Sequence, residues 1–172
     1  MDNTILPGSQ ADDLAGRVIV VTGASSGLGE QLARALAACE AVPVLAARRA
    51  ERLRALQAEV PQADVVACDV TREADRERLM DTVIKRHGRI DGLVNNAGAG
   101  AAGPALRTPA KAFARVVDLN LTAPYALSCL AAHHMRQGGG RSIVNVASVM
   151  ACGLSPRSPT PHTWPPRPAS SA

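Results

Sequence analysis

The residues with the plainest chemical purpose are the run Thr22-Gly23-Ala24-Ser25-Ser26-Gly27-Leu28-Gly29. Glycines between an apolar run and a helical stretch permit a tight turn and let backbone N–H groups approach a phosphate. The partial positive charge of a helix N-terminus adds to that attraction. The spacing is G-x-x-x-G-x-G, which differs from the G-x-G-x-x-G dinucleotide fingerprint. Standing alone, such a run also reads as an ordinary strand–helix turn. Further groups stand at matching places. Asn95-Asn96-Ala97-Gly98 closes a later apolar run and Cys68-Asp69-Val70 closes another. Asn120 falls in a long helical stretch, and Ser148 follows the apolar run Ile143-Val144-Asn145-Val146-Ala147. Separately, Asp69 is also a strand-end carboxylate and Ser148 an ordinary loop serine. The ordered set carries the reading.

The elements that must position these groups alternate. Arg17–Thr22, Ala41–Ala47, Asp64–Cys68, Asp91–Asn95 and Ser142–Ala147 are short apolar runs read as buried strands. Between them, Leu28, Leu32 and Leu36 repeat at helical spacing, Glu51–Glu59 is helical in composition, and Leu79, Met80, Val83 and Ile84 mark a third helix. Phe113 through His134 predicts one long helix kinked at Pro124. Strands alternating with helices imply βαβ crossovers and a parallel sheet covered on both faces. Ligands of such sheets bind beyond the carboxyl ends of the strands, which is where the glycine turn, Asp69 and the two asparagines fall.

Composition narrows the function. The 172 residues are 47% hydrophobic, enough for one domain with a core. No run of about 18 apolar residues predicts a membrane span. The opening Met1-Asp2-Asn3-Thr4 is not basic and no apolar signal core follows it, so a cytoplasmic location is expected. The net charge of +4 is mild, and Phe113, Tyr125 and Trp164 are the only aromatics. Nucleic acid is therefore not expected as a partner. Cys39, Cys68, Cys129 and Cys152 lack C-x-x-C spacing, so buried thiols are expected, with no metal site.

With these residues in this order, the chain from about Gly16 to Cys152 resembles the short-chain dehydrogenase/reductase family in its compact form. The resemblance implies a doubly wound, Rossmann-like parallel sheet with about five strands present and the family's C-terminal strands missing. It also implies that Gly23, Gly27 and Gly29, with Ser25, Ser26 and Leu28 between them, cradle a pyrophosphate. Asp69 would bind the adenine amino group and Val70 would lie against the ring. Asn96 would hold the adenosine ribose beside Ala97 and Gly98, and Asn95 would help fix the central strands. Asn120 would hold a water in a proton relay, and Ser148 would hydrogen-bond the oxygen of a small carbonyl or alcohol substrate. Full-length relatives would be homo-oligomers.

Cofactor choice follows from the second strand, which ends Ala46-Ala47-Arg48-Arg49. A carboxylate there would accept the ribose 2′-OH of NAD, whereas an arginine accommodates the 2′-phosphate of NADP. Arg48 favours NADP(H) over NAD(H), with Glu51 nearby as the opposing feature.

The family's Tyr-x-x-x-Lys pair has no counterpart. Tyr125 is followed four positions on by Cys129, and the lysines are Lys85 and Lys111. The resemblance implies an NAD(P)(H)-dependent oxidoreductase that transfers a hydride between nicotinamide and a carbonyl or secondary alcohol, with the chain as written expected to be inactive; the alternatives are a non-catalytic NADP-binding module or a non-functional truncated product. Three segments are expected: a leader over 1–16, an incomplete dinucleotide-binding domain over 17–152, and a Pro-rich tail over 153–172. That tail holds Pro156, Pro159, Pro161, Pro165, Pro166 and Pro168 and no acidic residue. Back-translated and shifted so that each codon takes the last base of one residue and two of the next, residues 162–167 permit Tyr-x-Ala-Ser-Lys. The tail therefore reads either as a genuine Pro-rich segment or as an out-of-frame reading of a longer reductase.

Overall fold

Strands form here where β-branched and small apolar residues run without interruption. A computed structural model describes residues 14–100, 105–138 and 142–148. Its elements are β1 (Val18–Thr22), α1 (Gly27–Ala38), β2 (Val42–Ala47), α2 (Ala50–Glu59), β3 (Asp64–Ala67), α3 (Glu73–His87), β4 (Gly92–Asn95), α4 (Ala110–Val117), α5 (Ala123–Gly138) and β5 (Ser142–Asn145). The strands form one parallel sheet in the order β3-β2-β1-β4-β5. This is the doubly wound, Rossmann-like arrangement that the alternating pattern predicts.

Both sheet faces are covered, so the central strands are buried along their whole length. Val18 and Val20 of β1 and Val44 and Ala46 of β2 pack beneath Leu79, Met80 and Val83 of α3 and Leu127 and Ala131 of α5. The alternate residues Ile19, Val21 and Leu45 pack on the other face against Ala33 of α1 and Leu53 and Leu56 of α2. The period-2 alternation of a strand thus feeds two cores at once, each fully buried Val or Leu contributing about 1.5–3 kcal/mol.

The chain leaves β1 for β2 and β3, then returns to the other side of β1 with β4. Val21 pairs with Leu45 on one side and with Val94 on the other. This reversal is the topological switch point, where a crevice opens at the carboxyl ends of the strands. At the opposite end of the sheet, the buried Asp91 carboxylate accepts the Val18 N–H at 2.9 Å, Arg17 at 3.1 Å and Arg89. Burial alone would push this carboxyl up. The bonds from Arg89, Val18 and Arg17 outweigh it and hold the group below the usual carboxylate range.

Three details differ from the sequence expectations. Leu14–Gly16, read as the end of a loose leader, belong to the folded body. The Gly16 N–H donates to the Glu40 carbonyl at 2.9 Å, and Leu14 packs on the α1–α2 core. Residues 1–13 and 149–172, which hold the rest of the segment expected as a leader and the Pro-rich segment, lie outside the described residues. Second, the long helix does not keep α geometry ahead of Pro124. It widens just before it, into a π turn over Asp118–Thr122 in which the Ala123 N–H donates to the Asp118 carbonyl. Pro124 has no N–H to close an α turn onto Asn120, and the ladder adjusts upstream. Third, Leu28 shares its spacing with Leu32 and Leu36, but it is 55% exposed. The positions α1 buries are Gly29 and Ala33, because the helix start sits so close to β1 that only small residues fit.

Candidate functional site

The crevice at the switch point is a cleft of about 620 Å³, within the usual range for small-ligand sites. Gly23, Ser25, Ser26 and Leu28 form the wall at the start of α1. Arg48 and Arg49 stand at the tip of β2, Asp69 and Val70 at the end of β3, and Asn96, Ala97 and Gly98 beyond β4. Of the predicted cofactor residues, Gly27 and Gly29 do not line the cleft.

Gly29 has a packing duty instead. A Cβ there would lie 2.5 Å from Asn96 Nδ2 and 2.6 Å from the Gly23 carbonyl oxygen, so the helix can approach the turn only with hydrogen at this position. Gly23 adopts φ +67°, and a Cβ on it would meet the Ala97 backbone at 2.9 Å. The turn and the Asn96–Ala97 segment are locked together by Thr22, which is 1% exposed. Its Oγ1 accepts the N–H groups of Asn96 and Ala97, both at 3.0 Å, and donates to the Val94 carbonyl at 3.3 Å. Thr22 heads the glycine motif, whose spacing does not by itself assign it this role. A buried hydroxyl at a strand end was the available signal, since such a group must be satisfied.

Asn96 itself turns inward. Its Nδ2 donates to the Thr22 carbonyl at 2.9 Å, so this amide braces the glycine turn. Asn95 does what the resemblance implied for it. It is 4% exposed and donates to Asn145 Oδ1 at 2.9 Å and to Ser128 Oγ at 3.1 Å, tying β4 to β5 and α5.

At the β3 end the backbone of Asp69 is pinned by α3. Its N–H donates to the Asp75 carboxylate at 2.8 Å. That bond, with one from Arg78, holds the Asp75 carboxyl below its usual range. The Asp69 side chain accepts the Thr71 N–H at 3.1 Å and the Thr71 hydroxyl at 2.8 Å. This fixes one carboxylate oxygen of a residue that lines the cleft. Arg76 holds the Val70 carbonyl at 2.9 Å. Beside them, burial pushes the Cys68 thiol up to about 11, so it is a neutral wall residue at pH 7.

The basic side of the cleft departs from expectation. Sequence reasoning singled out Arg48, but the residue bonded into the site is Arg49. Its Nη2 donates to Ser25 Oγ at 2.8 Å and to Ser26 Oγ at 2.9 Å. Ser26 is the N-cap of α1 and makes no side-chain capping bond to its own helix. The first N–H groups of α1 are therefore left without a capping side chain, beside a guanidinium, at the positive end of a helix. This combination suits a phosphate.

The two predicted catalytic residues lie off the cleft lining. Asn120, in the π turn, is exposed next to Gly98, where an added Cβ would be 3.0 Å from its Oδ1. Its amide holds Ala99 through two bonds. Ser148 lies three residues beyond β5 and is exposed. Among the described residues there is no cluster of three metal-ligating side chains, and no helix is long and apolar enough to cross a membrane.

Fold and cleft define a Rossmann-type α/β protein. Comparison with known sequences gives the class more narrowly, since the family profile described as short chain dehydrogenase matches residues 17–159. The chain belongs to this family. It is similar to the L-fucose dehydrogenase of Oryctolagus cuniculus, with 39% identity over 137 residues that cover 79% of this chain and 48% of that protein. It is also similar to an 11-beta-hydroxysteroid dehydrogenase of Pinus massoniana, with 37% identity covering 79% of this chain and 40% of that protein. The chain thus spans about half the length of these relatives or less. Among solved structures, a metagenomic short-chain oxidoreductase in complex with NADP is 38% identical, with a TM-score of 0.74, covering 78% of this chain and 62% of that one. The 3-ketoacyl-(acyl-carrier-protein) reductase of Brucella melitensis complexed with NADH is 32% identical, with a TM-score of 0.79, covering 83% and 61%.

Proposed function

We propose that this chain is the nucleotide-binding part of an NADP(H)-dependent oxidoreductase that moves a hydride between nicotinamide and the carbon of a small carbonyl or secondary alcohol. The observation that carries the cofactor choice is Arg49 held over Ser25 and Ser26, with no carboxylate at the tip of β2. Structures complexed with NADP and with NADH among the solved neighbours support a nicotinamide dinucleotide as the ligand.

The residues present fit that ligand. The uncapped N–H groups of α1 and the hydroxyls of Ser25 and Ser26 would hold the pyrophosphate and the adenosine ribose. Arg49 and Arg48 would hold a 2′-phosphate, Asp69 would accept the adenine amino group, and Val70 would pack on the ring. When bound, the cofactor supplies the hydride. Ser148 would hydrogen-bond the substrate oxygen, and Asn120 would steady a water for proton transfer. The exposed Phe113 and Tyr125 on α4 and α5 support the homo-oligomer reading.

A polypeptide of these 172 residues contains no Tyr-x-x-x-Lys. Positioned general acid–base groups contribute roughly 10²–10⁴-fold. Its turnover is therefore expected below about 1% of that of a full-length relative. The test is a titration of the chain with NADPH and NADH, for the native sequence and Arg49→Ala. NADPH should bind more tightly, and the substitution should remove most of that preference, about ten-fold for one charge-assisted phosphate contact. Equal affinity for the two cofactors would overturn the NADP reading.

A further inference from the structure

The cleft has a wall that the phosphate chemistry does not use. In the last turn of α4, Arg115 lines the cleft, together with Asp118 and Leu119 just beyond it. Arg115 is exposed, and its guanidinium makes no hydrogen bond or ion pair among the described residues. Arg49, by contrast, is pinned by two serines. Leu119 lies four residues beyond Arg115, close to the same helical face. Leu119, Ala97 and Val70 also belong to one apolar cluster and line the cleft together. They form an apolar part of the lining that runs from Val70 beyond β3 to Ala97 beyond β4, in a cleft that Asp69 and a free planar cation also line.

We propose that Arg115 is a specificity-determining residue for the adenine ring, resting on the reading of the cleft as a dinucleotide site. The base lies with its inner face on Val70, Ala97 and Leu119, and the Arg115 guanidinium stacks across its outer face. A planar, weakly hydrated guanidinium can lie flat against a base, whereas a strongly hydrated ammonium makes only a point contact with it. Arg115 is not a second phosphate ligand. Asp118, three residues on, faces the same space and repels a phosphate from this wall without penalising an uncharged base.

Binding of NADPH and NADH to the full chain tests this with Arg115→Ala and Arg115→Lys, alongside Arg49→Ala. Arg115→Ala should weaken both cofactors alike, by roughly three- to five-fold as an exposed cation–π contact implies. The loss should change little between low and high salt, and Arg115→Lys should not restore it. Arg49→Ala should weaken NADPH alone. Unchanged affinity in Arg115→Ala, a loss confined to NADPH, or full rescue by lysine each overturn the proposal. Failure of the native chain to bind either cofactor is a different result, which removes the dinucleotide reading itself and this inference with it.

Discussion

Asn120 grips Ala99 by both ends of its backbone. Its Nδ2 donates to the Ala99 carbonyl at 2.7 Å, and its Oδ1 accepts the Ala99 N–H at 3.1 Å. A residue on a π turn thereby fixes the segment that leaves β4 just beyond the cleft. Each such bond contributes about 1 kcal/mol net, so Asn120→Ala should cost roughly 1–2 kcal/mol in denaturant unfolding. Faster hydrogen exchange at the Ala99 amide is the specific signature. Native exchange at Ala99 in the variant would show that the pair does not hold this segment.

Gly29→Ala should be among the more damaging single-methyl changes in the chain. Its Cβ would press on the Gly23 carbonyl and the Asn96 amide, both fixed, at 2.6 and 2.5 Å. Overpacking of this kind costs about 1–3 kcal/mol, and cofactor affinity should fall with it because the turn is displaced. Gly100→Ala is the control. Among the described residues nothing lies within 4 Å of its added methyl, and its stability should stay within about 0.5 kcal/mol. Equal unfolding midpoints for the two variants would contradict the close approach.

Asp91 predicts the acid limb of stability. Its folded-state pKa lies below the ordinary value, so the charged form is favoured by folding. The stabilisation is present above the unfolded pKa of about 3.9 and is lost as pH falls from there through the folded value. The Asp64 carboxyl is also held low, where burial is outweighed by Arg86, the Val65 N–H and His87, so it adds in the same window. The melting temperature should hold above about pH 5 and drop steeply below pH 4. Asp91→Asn should lower the plateau and flatten part of the drop. A variant with the native pH profile would exclude Asp91 as a source.

The cysteines should separate by reactivity. Cys129 is exposed, whereas Cys68 is buried with its thiol raised to about 11. The thiolate is the reactive form. Iodoacetamide at pH 8 should therefore modify Cys129 in the folded chain and reach Cys68 only on unfolding. Rapid labelling of both under native conditions would mean that the β3 end opens readily.

The sheet was legible because its strands are nearly continuous apolar runs, and a parallel sheet covered on both faces gives Val18–Val21 and Val42–Ala47 reason to be apolar throughout. The cleft was legible for a related reason: strand-end residues such as Asp69 and Asn96 fall at one edge once the alternation is seen. What escaped were pairings across long sequence separations. Nothing in the spacing distinguishes Arg49, bonded to Ser25 and Ser26, from its neighbour Arg48. Nor does composition reveal that the Asn96 amide turns in toward Thr22, or that a proline acts on the four residues before it. Leu28 misled because helical periodicity reports a face without saying what lies opposite it. Here the turn after β1 comes so close to the start of α1 that position 29 has room only for hydrogen.

The strand order also sets when the site comes into being during synthesis. β1, β2, β3 and the helices α1 and α2 are contiguous in the chain, and every fully buried residue of the core between them comes from this stretch, with Val94 of β4 packing against it later. The glycine turn is different. Its brace, Asn96, and its lock, Thr22 against Asn96 and Ala97, wait on a segment made more than 70 residues after β1. As domains emerge N-terminus first at about 5–20 residues per second, a nascent chain carries a half-sheet for several seconds before β4 slots in beside β1. During that interval the exposed edge of β1 is the point at which a chaperone, or a neighbouring nascent chain, would compete with β4.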